Sequence, residues 1–221
     1  MASAELLLML LADARLPVAG HTQSAGLEPA LRLGLAPDEV EQYVATRLST
    51  IARVEAATAV VARHHLRAGL STSVVEAAWA ARTPSPAMRR TSRAQGRALL
   101  RLARTLWPDD AAVATVSGVP RASRAVALGA VAAAGDLPAR ELARLVGYDD
   151  VQTVASAALK LLPLDPSDVA AWVLRALPAI DVMSADLAHL ALAEDIPASG
   201  APQIEAWAEA HARTTRRLFS A

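Results

Sequence analysis

The chain contains no cysteine, which removes disulfides, thiolate metal ligands and cysteine nucleophiles together and suits a reducing compartment. Aromatics make up only 3% of its 221 residues, with a single phenylalanine. A core so poor in rings must be built from alanine, leucine and valine at short backbone separation, an arrangement that suits helices packed on helices. An excess of either charge is missing too. Twenty-two basic residues balance 22 acidic ones, so the chain as a whole exerts no pull on nucleic acid or on an anionic membrane. No apolar run approaches the ~20 residues of a membrane span. The leucine run Leu6 to Leu11 is not read as a signal peptide, because Glu5 precedes it, no basic stretch stands before it, and Asp13 and Arg15 close it. A cytoplasmic protein is expected. GxxxxGK[ST], GxGxxG, HExxH and GxSxG are all absent, so no site for phosphate cradling, zinc proteolysis or a nucleophile elbow is found. The chain is expected not to be an enzyme.

What is present is helical periodicity. With 53% hydrophobic residues, the chain can bury one substantial core. Val40, Val44, Leu48, Ile51, Val54, Thr58 and Val61 recur every three or four residues and predict one long amphipathic helix from Pro37 to His65, with Asp38 and Glu39 in its first turn. Further helices are predicted at Ala4 to Ala14, Leu27 to Leu33, Thr72 to Ala81, Ala87 to Leu106, Arg121 to Ala134, Ala139 to Val146, Asp150 to Leu162, Ser167 to Leu192 and Gln203 to Phe219. Pro178 is placed to kink the penultimate one. The breaks, such as Thr83-Pro84-Ser85-Pro86 and Leu164-Asp165-Pro166-Ser167, are too short for interdomain linkers. Residues 1–221 therefore read as one all-α domain, a multi-helix bundle.

Five stretches carry more than periodicity. Leu16 to Glu28, LPVAGHTQSAGLE, packs a proline, two glycines and several polar side chains between helices, more specification than a connector requires. From Arg82 to Pro108 there are seven arginines and no acid. Arg89, Arg93, Arg97 and Arg101 repeat every four residues, while Arg90, Arg97 and Arg104 repeat every seven, a cationic stripe suited to carboxylate or phosphate. Its competitor is a merely solvated face. The segment 141–159 looks like a helix-turn-helix, and a helical transcriptional regulator is the alternative function; Asp149 and Asp150 would head its recognition helix and repel phosphates. Lys160 is the only lysine among 22 basic residues. In the tail, around 203–221, Phe219 beside Arg216 and Arg217 is expected to expose an apolar anchor with a cationic rim. Deleting the chain from Arg216 onward is then expected to change thermal stability little. The histidines His21, His64, His65, His189 and His211 form no i, i+4 chelate, so no stable metal site is expected, with His21 in the loop the one weak candidate.

Leu16, Pro17, Ser24, Gly26, Leu27 and Glu28, with Asp13 ahead of them, resemble the N-terminal signature of the urease accessory protein UreF family. Ala19, His21 and Gln23 depart from it, and Gly20 remains to free the turn. Arg89, Ser92, Gly96, Leu99 and Leu100 resemble that family's second motif, Ala157 to Leu164 a third, and Pro202, His211, Arg217, Leu218 and Phe219 its closing pattern. Gly96 is expected to allow a close helix crossing. The resemblance implies an all-α, non-enzymatic protein that assembles the nickel centre of urease with UreD (also called UreH), the GTPase UreG and apo-urease. It also implies a homodimer that binds no cofactor stably and handles nickel transiently through the complex. The motif positions, the arginine stripe, the lone lysine and the tail together give the residues expected in partner binding: Pro17, Gly20, Ser24, Gly26, Glu28, Arg89, Arg93, Arg97, Lys160, Arg217, Leu218 and Phe219.

Overall fold

The computed structural model describes residues 3–13, 15–17, 22–215 and 218–219. Among them are eleven α-helices and no strand: α1 (Ala4–Leu11), α2 (Leu27–Arg32), α3 (Val40–Ser49), α4 (Ile51–Arg67), α5 (Ser73–Arg82), α6 (Pro86–Leu106), α7 (Ala111–Ser117), α8 (Arg124–Ala134), α9 (Ala139–Leu161), α10 (Pro166–Leu187) and α11 (Pro202–Ala212). This is the expected all-α bundle. Helix starts are set by local chemistry. Ser85 accepts the Met88 N–H at the start of α6, Ser123 does the same for Val126 in α8, and Asp165 with Pro166 opens α10.

The centre is α8, whose residues 125–132 are all buried, as a helix apolar on every side must be. It lies against α4, which also packs on α9. Small residues make that closeness possible. A Cβ on Gly129 would stand 2.7 Å from the Cβ of Ala62 and 2.9 Å from the Ala59 carbonyl oxygen, and one on Gly96 would stand 2.6 Å from the Ala122 carbonyl oxygen. Gly96 therefore serves a close approach as expected, although what it meets is the Ala122–Ser123 segment leading into α8 and not the body of a helix. One apolar cluster gathers α4, α5, α6, α7, α8 and the first half of α9, with Leu7 of α1 and Met183 and Leu187 at the end of α10; a second joins α2, α3, the second half of α9, Ile180 of α10 and α11.

The helix expected to reach Leu192 ends at Leu187, and three further expectations differ more deeply. The long helix over 37–65 breaks at Thr50 (φ −122°, ψ −88°), where the hydroxyls of Ser49 and Thr50 both donate to the Thr46 carbonyl and compete with the backbone ladder. Conversely, the two helices expected around Gly147 are one continuous helix, α9. Gly147 makes no turn; a Cβ there would stand 2.8 Å from Met183 Cε and 3.1 Å from Ile180 Cγ2, so its smallness serves the α9–α10 contact. The helix-turn-helix reading of 141–159 falls with that turn. Finally, α11 stops at Ala212 instead of running to Phe219.

Candidate functional site

The last turn of the 16–28 loop is backbone under constraint. Ala25 (φ +50°) and Gly26 (φ +79°) both lie in the left-handed region, and a Cβ on Gly26 would come within 2.9 Å of Tyr43 Oη. Ser24 is fully buried, its carbonyl accepting the Leu27 N–H at 2.9 Å and its hydroxyl the Glu28 N–H at 3.4 Å. From α3, Tyr43 Oη donates to the Ala25 carbonyl at 2.7 Å and Arg47 Nη1 donates to it at 2.8 Å. Arg47 turns its other edge to α9, with Nε 2.9 Å from Asp150 Oδ2 and Nη2 2.5 Å from Asp150 Oδ1. This is a bidentate pair with both side chains largely buried. Burial alone would favour a neutral Arg47, but the Asp150 carboxylate and Tyr43 outweigh it and hold the guanidinium above its ordinary value. Burial pushes the Tyr43 phenol up to about 12, with Arg47 pulling the other way. Gly26→Val is expected to cost about 1–3 kcal/mol, because it forces a β-branched residue into φ > 0 and against Tyr43. Denaturant unfolding checks this, and a variant as stable as the parent would show that the turn relaxes freely.

Two residues on, Glu28 is 1% exposed and ties the two ends of the chain together. Its Oε1 accepts the Leu218 N–H at 2.8 Å and its Oε2 the Phe219 N–H at 2.9 Å. Arg32 Nη2 stands 2.8 Å from Oε1, and His211 Nε2 lies 3.3 Å from the Phe219 carbonyl oxygen. The Phe219 ring is 3% exposed and joins the cluster of Leu27, Tyr43 and Ile204. The exposed anchor expected at Phe219 is therefore corrected: two N–H groups held by a buried carboxylate turn the ring inward. Leu218 is the outward neighbour, at 62% exposure. Lys160 is not simply solvated either, since its Nζ sits 5.3 Å from the Phe219 ring centroid, within cation–π range. Gly20, His21 and Arg217 lie outside the described residues; Pro17 is exposed.

The arginine stripe of α6 divides. Arg89 donates to the carbonyls of Thr83 and Pro84, and Arg93 stacks 5.6 Å from the Trp79 ring with Nη2 3.6 Å from Glu76 Oε1. Both thus serve their own chain, which corrects the uniform stripe. Arg97 is exposed.

Between the loop, α4, α6, α9 and α11 lies a cleft of about 430 Å³, lined among others by Glu55, Arg90, Arg124 and Asp149. Glu55 accepts the Trp79 Nε1–H at 2.7 Å, and Arg124 Nη2 pairs with Asp149 Oδ2 at 2.5 Å. Burial raises the Glu55 carboxyl, opposed by Arg124 and the Trp79 bond. Among the described residues no three His, Asp or Glu side chains converge as a metal ion requires.

Residues 36–177 match the UreF family model. This chain belongs to the UreF family. It is similar to the urease accessory protein UreF of Mycobacterium sp. (strain JLS), with 37% identity covering 96% of this chain and 97% of that one. The protein of that name from Mycolicibacterium vanbaalenii is 35% identical over the same shares, and that of Mycobacterium bovis (strain BCG / Pasteur 1173P2) is 37% identical over 73% of this chain and 75% of its own. The stretch matching the family model holds Arg47, Asp150 and Lys160, while the signature loop and the tail flank it.

The fold thus joins three of the sequence segments that resemble UreF, at Glu28, Lys160 and Phe219, while Arg90 of α6 faces the signature loop across the cleft. Sequence reasoning missed Tyr43, Arg47 and Asp150. A signal for two of them existed: Tyr43 and Arg47 fall on the apolar stripe of Val40, Val44 and Ile51, where a charged residue needs a buried partner.

Proposed function

We propose that this UreF-family chain is a urease accessory protein: a cytoplasmic, non-enzymatic scaffold that works as a dimer with a UreD/UreH-type protein and a UreG-type GTPase to load nickel into apo-urease. Nickel is cargo of the complex, and the chain keeps no resident cofactor. The observation that carries the reading is the joint at Glu28. It gathers the N-terminal signature, Lys160 and the C-terminal tail into one unit, in a chain similar along nearly its whole length to proteins called urease accessory proteins. Around that unit, Pro17 and Leu218 face outward and are offered to partners, while Ser24, Gly26, Glu28, Lys160 and Phe219 keep the surface in shape.

An apolar surface supports the dimer. Leu6, Met9 and Leu10 of α1 and Leu174, Leu177 and Val182 of α10 are all exposed, and a groove of about 670 Å³ lined by Met9, Tyr148 and Leu177 brings the two helices to one side. A patch of that kind marks an interface, and homodimer interfaces are the more apolar class. Co-expression of the chain with UreD/UreH-type and UreG-type proteins and apo-urease tests the proposal. The expected result is co-purification of the three accessory proteins, a light-scattering mass for this chain alone of twice 23.0 kDa, and urease activity that depends on the chain. Full urease activity without it would overturn the reading.

A further inference from the structure

The α6 arginines whose guanidinium groups are held by no hydrogen bond or ion pair form a second feature, separate from the bonds at Glu28. Arg90, Arg97, Arg101 and Arg104 are exposed, and among the described residues none of their guanidinium groups makes an ion pair or hydrogen bond. At about 100° per residue they fall within roughly 60° of arc, a straight ridge about 21 Å long. Its inner end enters the 430 Å³ cleft, which Arg90 lines together with Glu55, Arg124, Asp149 and Glu205. Near that end, hydrogen bonds from Ser85 and Ala87 hold the Glu209 carboxyl below its usual range, and Arg90 adds to the effect. Four like charges in a row repel one another in the free chain, and an anionic partner relieves that.

We propose that the ridge docks an acidic polypeptide segment, whose carboxylates lie along Arg97, Arg101 and Arg104 and whose end enters the cleft past Arg90. Guanidinium groups take carboxylates in bidentate pairs. Two observations favour polypeptide over nucleic acid. The cleft is of mixed sign, with Glu55 and Asp149 beside Arg90 and Arg124; a segment with side chains of both signs fits such walls, whereas an unbroken line of phosphates is repelled by them. In addition, α6 carries no aromatic residue on which bases could stack.

Fluorescence anisotropy on the full chain tests this without any urease component, so its outcome is separate from that of the proposed function. The probes are a labelled twelve-residue polyglutamate and a labelled twelve-residue oligothymidylate. Polyglutamate is expected to bind the parent chain more tightly than oligothymidylate, and to weaken as salt rises from about 50 to about 300 mM. The Arg97→Glu/Arg101→Glu double variant is expected to lose about tenfold or more in affinity, and Arg67→Glu, on α4 outside the ridge, about twofold at most. Both ridge positions are exposed and unpaired, so matching melting curves are expected for the double variant. Polyglutamate binding left intact by the double variant would overturn the proposal, and so would tighter binding of oligothymidylate.

Discussion

Asp150→Ala is expected to lower the unfolding free energy by about 3–5 kcal/mol, the cost of stranding one member of a buried ion pair. In a chain of this length that corresponds to a fall of roughly 10 °C in melting temperature. The reason lies in what remains. Arg47 is buried and would lose both bonds to the carboxylate of Asp150, keeping the Ala25 carbonyl and the neighbouring Tyr43, neither of which carries a balancing charge. The same change unties Arg47 from α9, so the clamp on Ala25 is left to the α3 side chains Tyr43 and Arg47 alone. Arg47→Met combined with Asp150→Ala should recover much of the loss, since an apolar pair of similar volume costs no unpaired charge. Urea denaturation of the parent and these two variants measures this. A single variant within ~0.5 kcal/mol of the parent would mean that water reaches Arg47 and that the pair is a surface contact.

Ending the chain before Arg216 should be nearly as damaging, contrary to the expectation drawn from the sequence. The truncation removes the Phe219 ring, whose burial is worth about 1.5–3 kcal/mol. It also strips two donors from a carboxylate that is 1% exposed, and hydrogen bonds to charged groups contribute about 1.5–3 kcal/mol each. Arg32 and His211 stay beside Glu28 and offset part of this, so a loss of at least about 3 kcal/mol is expected. Two point variants separate the causes. Phe219→Ala should carry most of the ring's share, whereas Leu218→Ala should be close to neutral because its side chain faces solvent while its N–H remains. Thermal unfolding of the truncated chain at the parent's melting temperature would return the tail to the role of a free partner anchor.

The amino-acid sequence by itself determined the class of this protein. Scarce aromatic rings, absent cysteine, abundant alanine and three-to-four-residue periodicity are local properties, and they specify helices that pack closely. The family was legible for the same reason, since its motifs are contiguous: the Leu16 to Glu28 loop, Arg89 to Leu100, Ala157 to Leu164 and the tail. Gly96 was readable as a close approach because an interior glycine is costly unless something needs the space. Tertiary structure alone decided the remainder. Gly147 has the same chemistry as a turn glycine, and only the Met183 and Ile180 side chains on α10 reveal that it is an approach glycine inside one helix. Thr50 breaks a helix whose apolar stripe runs straight through it, because two hydroxyls reach one carbonyl. Arg47 finds Asp150 across 103 positions and Glu28 finds Phe219 across 191. Burial and charge pairing at such separations depend on where the chain returns in space, and no local pattern encodes that.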